Sequence, residues 1–307
     1  MNPAPPVTTI FLAMLSFFRF LFRDFLQQRF RRECPEEVDP ILRRMARYYE
    51  TNEDWEKSYQ LYRQLGDMNA LADMIERAGI PMYQHSMLTL ETWLRDLPPS
   101  ISQKRAGLLS LRGTIETAKG NASESLPLFN RAIKSFREAN NIPDLALALV
   151  RRGLTNRVLG KYKDAIQDAD EAMQLTNDTD SLQWIYADAL RVKGLSLYRQ
   201  GLNLQATGQL ESALDIYIRI NDTHTIPVLW METGMAYLAM GKYNEAKRTY
   251  AEALKIWRQT GSLFWQATLL NNLGVLHQQH GEYEQAVKAF EEACFAHKEG
   301  GINVREP

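Results

Sequence analysis

Apolar residues return every third or fourth position along most of this chain, the spacing of amphipathic helices rather than strands. Residues 241–257 read GKYNEAKRTYAEALKIW, and forty residues later 281–297 read GEYEQAVKAFEEACFAH, with glycine, tyrosine, aromatic and alanine in register. The whole frame recurs. First glycines stand at Gly113, Gly153, Gly194, Gly234 and Gly274, in steps of 40, 41, 40 and 40 residues. Seven residues after each comes a second glycine (Gly120, Gly160, Gly201, Gly241, Gly281), and nineteen after each an alanine (Ala132, Ala172, Ala213, Ala253, Ala293). A fixed period of this size is the mark of stacked helical hairpins. Each unit predicts one helix ending at the second glycine, where a left-handed residue closes the last turn. A second helix then starts at an aromatic such as Tyr162, Tyr243 or Tyr283. The first glycine and the alanine are expected where the two helices cross, because only small residues let backbones approach. Gly208 could restart the pattern, but ALDIY at Ala213 matches ALKIW at Ala253 and AIKSF at Ala132, which favours the even register.

Weaker copies extend upstream. ARYYETNEDWEKSYQLY places Ala46, Trp55, Ser58 and Tyr62 at repeat spacing, and a further helix pair runs over 69–97 to Pro98-Pro99. About seven hairpins result. The fold expected is all-α, a superhelical stack of antiparallel helix pairs with repeats of about 40 residues. The boundaries expected are an apolar helical segment over 1–33, degenerate hairpins over 34–104, five repeats over 105–299 and a tail over 300–307.

The order of small residue, glycine turn, aromatic, alanine resembles the tetratricopeptide repeat, whose usual unit is shorter, about 34 residues. A second resemblance lies in residues 20–101. Leu21-Phe22-Arg23-Asp24-Phe25-Leu26 is similar to the end of the winged helix in MalT-like regulators, a group of bacterial STAND-class transcription activators. Tyr49, Trp55, Gly66-Asp67, Ile75-Glu76, Gly79 and Trp93-Leu94 through Leu97-Pro98 are similar to the first repeats that follow it. The resemblance implies the signal-sensing arm of such a regulator and makes 1–33 the remnant of the winged-helix junction. The ATPase module of that family would carry GK[ST] in a phosphate loop, and no such loop occurs here. After His297 only KEGGINVREP follows, with no helix-turn-helix, so the expectation is a sensor arm alone, either an excised piece or a short gene.

Charge and composition narrow the function. A net charge of -1 gives no bulk attraction for nucleic acid or an anionic membrane, so neither is expected as a direct partner. The apolar run IFLAMLSFF has no basic residue before it and meets Arg19 at once, unlike a signal peptide, and is shorter than a membrane span. Two cysteines, Cys34 and Cys294, form no disulfide framework, which fits a cytoplasmic location. His277 and His280 stand three apart, as do Cys294 and His297, but the hairpin separates His280 from His297 by more than about 20 Å at roughly 1.5 Å per residue. The carboxylates of Glu291-Glu292 and of 168–171 are expected on solvated outer faces. No metal, no cofactor and no enzymatic site are expected.

Binding is expected on the concave face lined by the first helix of each hairpin. Inward positions fall three and two residues before the first glycine and one, four and five after it. They include Ser110 and Thr117, then Val150, Arg151, Leu154, Arg157 and Val158, then Arg191, Val192, Leu195, Tyr198 and Arg199. Met231, Glu232, Met235 and Leu238 come next, followed by Asn271, Asn272, Val275, Gln278 and Gln279. The candidate ligand residues are Arg151, Arg157, Arg191, Tyr198, Arg199, Met231, Met235, Asn271, Asn272 and Gln278. Arginines supply charge and forked donors. Amides supply paired donors and acceptors, and methionines an adaptable apolar contact. Arg191 has a candidate internal partner in Asp188 one turn back. The expected partner is a protein, a peptide or a small-molecule inducer such as an oligosaccharide or anion, held by a sensor module. The alternative is a free-standing adaptor that binds a peptide. Val287, Phe290 and Cys294 form an apolar stripe on the last hairpin, from which a homodimer through that repeat is expected.

Overall fold

The computed structural model describes Arg29 and residues 32–299, and the chain divides into two compact units, 1–108 and 109–307. The described residues form fifteen α-helices and one 3-10 turn, with no strand among them. The apolar run and the tail after Glu299 lie outside the described residues.

The first unit contains α1 (Pro35–Thr51), α2 (Trp55–Leu65), α3 (Met68–His85), α4 (Met87–Asp96) and the short α5 (Pro99–Ser102). Side-chain caps set their starts. Asp54 accepts from Lys57 N at the head of α2, and Asp67 from Ala70 N at the head of α3, satisfying donors a helix leaves open. Ala46 and Ser58, the small residues expected in the crossing, are fully buried. Tyr59 stacks on Trp93 with centroids 4.7 Å apart.

The unit boundary falls within α6 (Ala106–Ala118). Beyond it come α7 (Ala122–Glu138), α8 (Ile142–Val158), α9 (Tyr162–Thr176), α10 (Gln183–Arg199) and α11 (Asn203–Arg219). Then follow α12 (Ile226–Ala239), α13 (Tyr243–Gln259), α14 (Leu263–Gln279) and α15 (Tyr283–Glu299). These are antiparallel pairs in the expected even register, and Gly208 lies in mid-α11 rather than at a turn. All five second glycines have positive φ, between 72° and 89°. The return turns use Asn140, Asn221 and Gly261, also at positive φ, where short polar or absent side chains tolerate the left-handed region. Successive first helices touch: α8 with α10, α10 with α12, α12 with α14. First helices therefore line the inner side of this unit.

The crossings differ in one respect from the sequence reading. The alanines are buried (0–4% exposed), but the side chain packed against four of the first glycines stands three residues earlier. A Cβ at Gly113, Gly194, Gly234 or Gly274 would meet Phe129, Leu210, Tyr250 or Phe290 within 2.9 Å. The glycine is thus a notch for a large side chain, not half of a small–small contact. In the second hairpin the corresponding residue is Ala169, and the nearest atom to a Cβ on Gly153 becomes Val192 Cγ1 at 3.1 Å.

Candidate binding surface

Three consecutive inner helices, α8, α10 and α12, bring the arginines together. Arg191 Nε and Nη2 donate to Glu232 Oε2 and Oε1 at 2.7 and 2.6 Å, a forked pair between neighbouring repeats. The two side chains are 25% and 9% exposed. Burial alone would lower the Arg191 pKa, but Glu232 and then Asp188 overcome it and hold the guanidinium firmly charged. The partner of Arg191 is therefore Glu232, one repeat ahead, rather than Asp188. Asp188 instead accepts from the Tyr217 hydroxyl at 2.8 Å, and burial raises its pKa against the pull of Arg191.

Arg157 and Arg199 are placed differently. Arg157 is half-buried, and its Nε is enclosed without a hydrogen-bond partner. Burial depresses its pKa, Arg191 and Arg199 depress it further, and Glu232 and Tyr162 only partly compensate. Arg199 is exposed, its Nε 3.5 Å from the Tyr162 hydroxyl. Arg151 Nη1 donates to Ser110 Oγ at 3.3 Å across to α6. Arg157 thus lies within electrostatic reach of Arg191, Arg199 and Glu232, whereas Arg151 turns to the neighbouring α6.

Tyr198 lies within electrostatic reach of Arg199 and packs, half-buried, on the core that contains Leu195, Leu210 and Tyr217, whereas the methionine and amide candidates do not join the arginines. Met231, 6% exposed, belongs to the core with Leu238, Trp257 and Leu270, so a ligand cannot reach it, while Met235 is partly buried beside the same core. Asn271 and Gln278 are exposed and Asn272 half-buried, on α14 two helix pairs beyond Arg191. Asp168, expected on a solvated face, is in fact buried. Arg152 Nε and Nη2 donate to it at 2.5–3.2 Å, and Asn156 Nδ2 at 3.0 Å. It sits beside the Gly153 notch, where the missing Cβ admits it. His277 and His280 both engage Glu282, at 2.5 and 3.0 Å, and the His280 ring lies tilted against Tyr243 with centroids 4.9 Å apart. Among the described residues no group of three His, Cys, Asp or Glu is placed to hold a metal ion, and no helix is long and apolar enough to cross a membrane.

Two family models of the tetratricopeptide repeat match the chain, over residues 111–179 and 225–294. These segments are tetratricopeptide repeats. The chain is 26% identical over 274 residues to Protein KINESIN LIGHT CHAIN-RELATED 3 of Arabidopsis thaliana, covering 83% of this chain and 42% of that protein. It therefore spans under half the length of that curated relative. A Rap protein complexed with competence and sporulation factor superposes with a TM-score of 0.65 at 14% identity, over 86% of this chain and 77% of that one. A STAND protein with a tetratricopeptide repeat sensor from Pyrococcus horikoshii gives 0.64 at 16% identity, over 96% of this chain and 48% of that one. At such identities the two structures show a shared solenoid fold.

Proposed function

We propose that the unit formed by α6–α15 is a protein- or peptide-binding module that takes an anionic segment of its partner at Arg157 and Arg199. The observation that carries this is the Arg157 guanidinium: half-buried, with Nε lacking a partner and two further arginines beside it. A cation in that condition is costly in the free protein, and an incoming carboxylate relieves the cost by charge-assisted hydrogen bonds. Arg191, already held by Glu232, supplies field rather than a free fork. The tetratricopeptide repeats, and the similarity to a Rap protein seen with a bound factor, support partner binding as the role. The finer reading is a sensor arm of a MalT-like regulator, in which occupancy of this surface is passed to an ATPase. It is supported by the motifs in 20–101 and by the solenoid shared with a STAND protein that has such a sensor.

Fluorescence anisotropy with a labelled hexaglutamate peptide tests the binding surface. Arg157→Gln should weaken binding at least about tenfold, since one charged contact contributes roughly 1.5–3 kcal/mol. Affinity should also fall as salt rises. Equal affinity in wild type and in a folded Arg157→Gln variant would remove Arg157 from the site. An in-frame ATPase coding sequence joined to this one would favour the sensor reading, and its absence the adaptor.

A further inference from the structure

On the side of the second helices, a cleft of ≈ 440 Å³ opens between α11, α12 and α13. Trp230, Tyr237, Thr233, Thr249, Glu211 and Glu252 line it, together with Arg248. The repeat register shows what two earlier hairpins place at the same point. The residue immediately before the first glycine is Arg152 in one, Lys193 in the next and Thr233 here. The residue two before the repeat alanine is Asn130, then Asp170, then Glu211. In the earlier hairpins these positions bond to each other. Arg152 Nη1 donates to Asn130 Oδ1 at 2.8 Å, and Lys193 Nζ to Asp170 Oδ1 at 2.7 Å. In the third instance the base is missing. Thr233 is too short to reach Glu211, and the cleft stands where the long side chain would lie.

What lines the cleft matches the absent group. Glu211 accepts from the Tyr237 hydroxyl, but among the described residues no lysine or arginine forms an ion pair with it, and Arg248 pairs with neither Glu211 nor Glu252. Thr233 is 1% exposed and its hydroxyl has no hydrogen-bond partner. The Thr249 hydroxyl gives its proton to Ala246 O at 3.0 Å and is buried at the crossing with Gly234. The Glu211 carboxylate, with Glu252 also on the wall of the cleft, suits an ammonium group. The Trp230 and Tyr237 rings suit the methylene stem of a lysine, whose apolar body packs while its head stays polar. Lys242 lies over the Tyr237 ring at 5.7 Å, which shows that the ring accepts a cation.

We propose that this cleft is a second binding site, which takes a lysine side chain presented by a partner protein into the seat that Lys193 fills from within the chain one hairpin earlier. It is independent of the arginine surface on the first helices, and either can fail without the other.

The probe is the peptide acetyl-Gly-Lys-Gly-amide, with the Trp230 indole resonance followed by NMR and assigned with Trp230→Phe. Wild type should show a saturable shift. Glu211→Gln, close in size to the native side chain, should bind at least about tenfold more weakly. Thr233→Lys should fill the seat from inside, abolish the shift and raise the melting temperature, and adding Glu211→Gln should remove that gain. No saturable shift in wild type, or the same affinity in Glu211→Gln, overturns the proposal. So does a folded Thr233→Lys variant that still binds; if that variant does not fold, the Glu211→Gln comparison decides alone. Putrescine binding more tightly than the peptide with the same Glu211 dependence would assign the seat to a free amine and overturn the protein-partner assignment.

Discussion

Gly234→Ala should destabilise the protein although alanine is the better helix former. A Cβ at residue 234 would stand 2.4 and 2.6 Å from Tyr250 Cε1 and Cδ1 and 2.7 Å from Thr249 Oγ1, far inside the usual contact of about 3.5–4.0 Å. Tyr250 is fully buried, so its ring cannot swing into solvent. Overpacking of this kind costs about 1–3 kcal/mol. The gain in helix propensity offsets about 1 kcal/mol, leaving a net loss of roughly 0–2 kcal/mol. Gly208→Ala supplies the contrast, because that glycine is in mid-α11 with nothing within 4 Å. It should gain about 1 kcal/mol. Gly274→Ala should be milder than Gly234→Ala, since Phe290 is only half-buried and its ring has somewhere to go. Urea midpoints by far-UV circular dichroism would rank the variants, provided the slopes stay equal, because repeat arrays can lose two-state behaviour. Gly234→Ala as stable as Gly208→Ala would refute the notch.

Three further outcomes follow from named contacts. Glu232→Ala and Arg191→Ala should each lower stability by about 3–5 kcal/mol, by stranding a buried charge, whereas Arg191→Met with Glu232→Leu should recover most of it in thermal melts; single variants that melt like wild type would refute a buried pair. The Tyr237 phenol, pushed up to about 12 by burial and by the Glu211 carboxylate, should titrate late in ultraviolet absorbance. Its folded pKa lies above the ordinary 10.0, so its contribution to stability is complete below that value and lost as pH rises toward 12; Tyr237→Phe should flatten the loss, and an unchanged alkaline profile would count against it. On α15, Tyr283, Val287 and Phe295 are exposed while Phe290 is taken by Gly274, so Val287→Glu rather than a change at Phe290 tests self-association by light scattering; a strictly monomeric wild type would exclude the dimer.

The fold was legible because its determinants are local and repeated. A left-handed turn every forty residues needs glycine, and the five second glycines are visible without any knowledge of packing. The crossing was only half legible. The register told where helices meet, but which residue fills the glycine notch depends on how far a ring reaches along the partner helix. Spacing placed Ala253 at the crossing, where it is buried, but did not show that Tyr250 is the side chain against Gly234. Asp168 was misplaced for a related reason: a carboxylate among Asp170 and Glu171 reads as surface until Arg152 is seen to cover it.

The two proposed binding surfaces depend on contacts between repeats. The arginine stripe was found because position within a helix repeats. Whether an arginine is occupied does not repeat, since it depends on one neighbour one repeat away. Arg191 and Arg157 occupy inward positions alike, yet only Arg191 has a carboxylate in reach at Glu232. The cleft at Thr233 is the reverse case. Threonine before a glycine carries no signal by itself, and it became informative only when Lys193–Asp170 and Arg152–Asn130 showed what the position holds elsewhere. In a repeat protein each unit is the internal control for the next. A site is then found less from the residues a unit possesses than from the contact its neighbours complete and it leaves open.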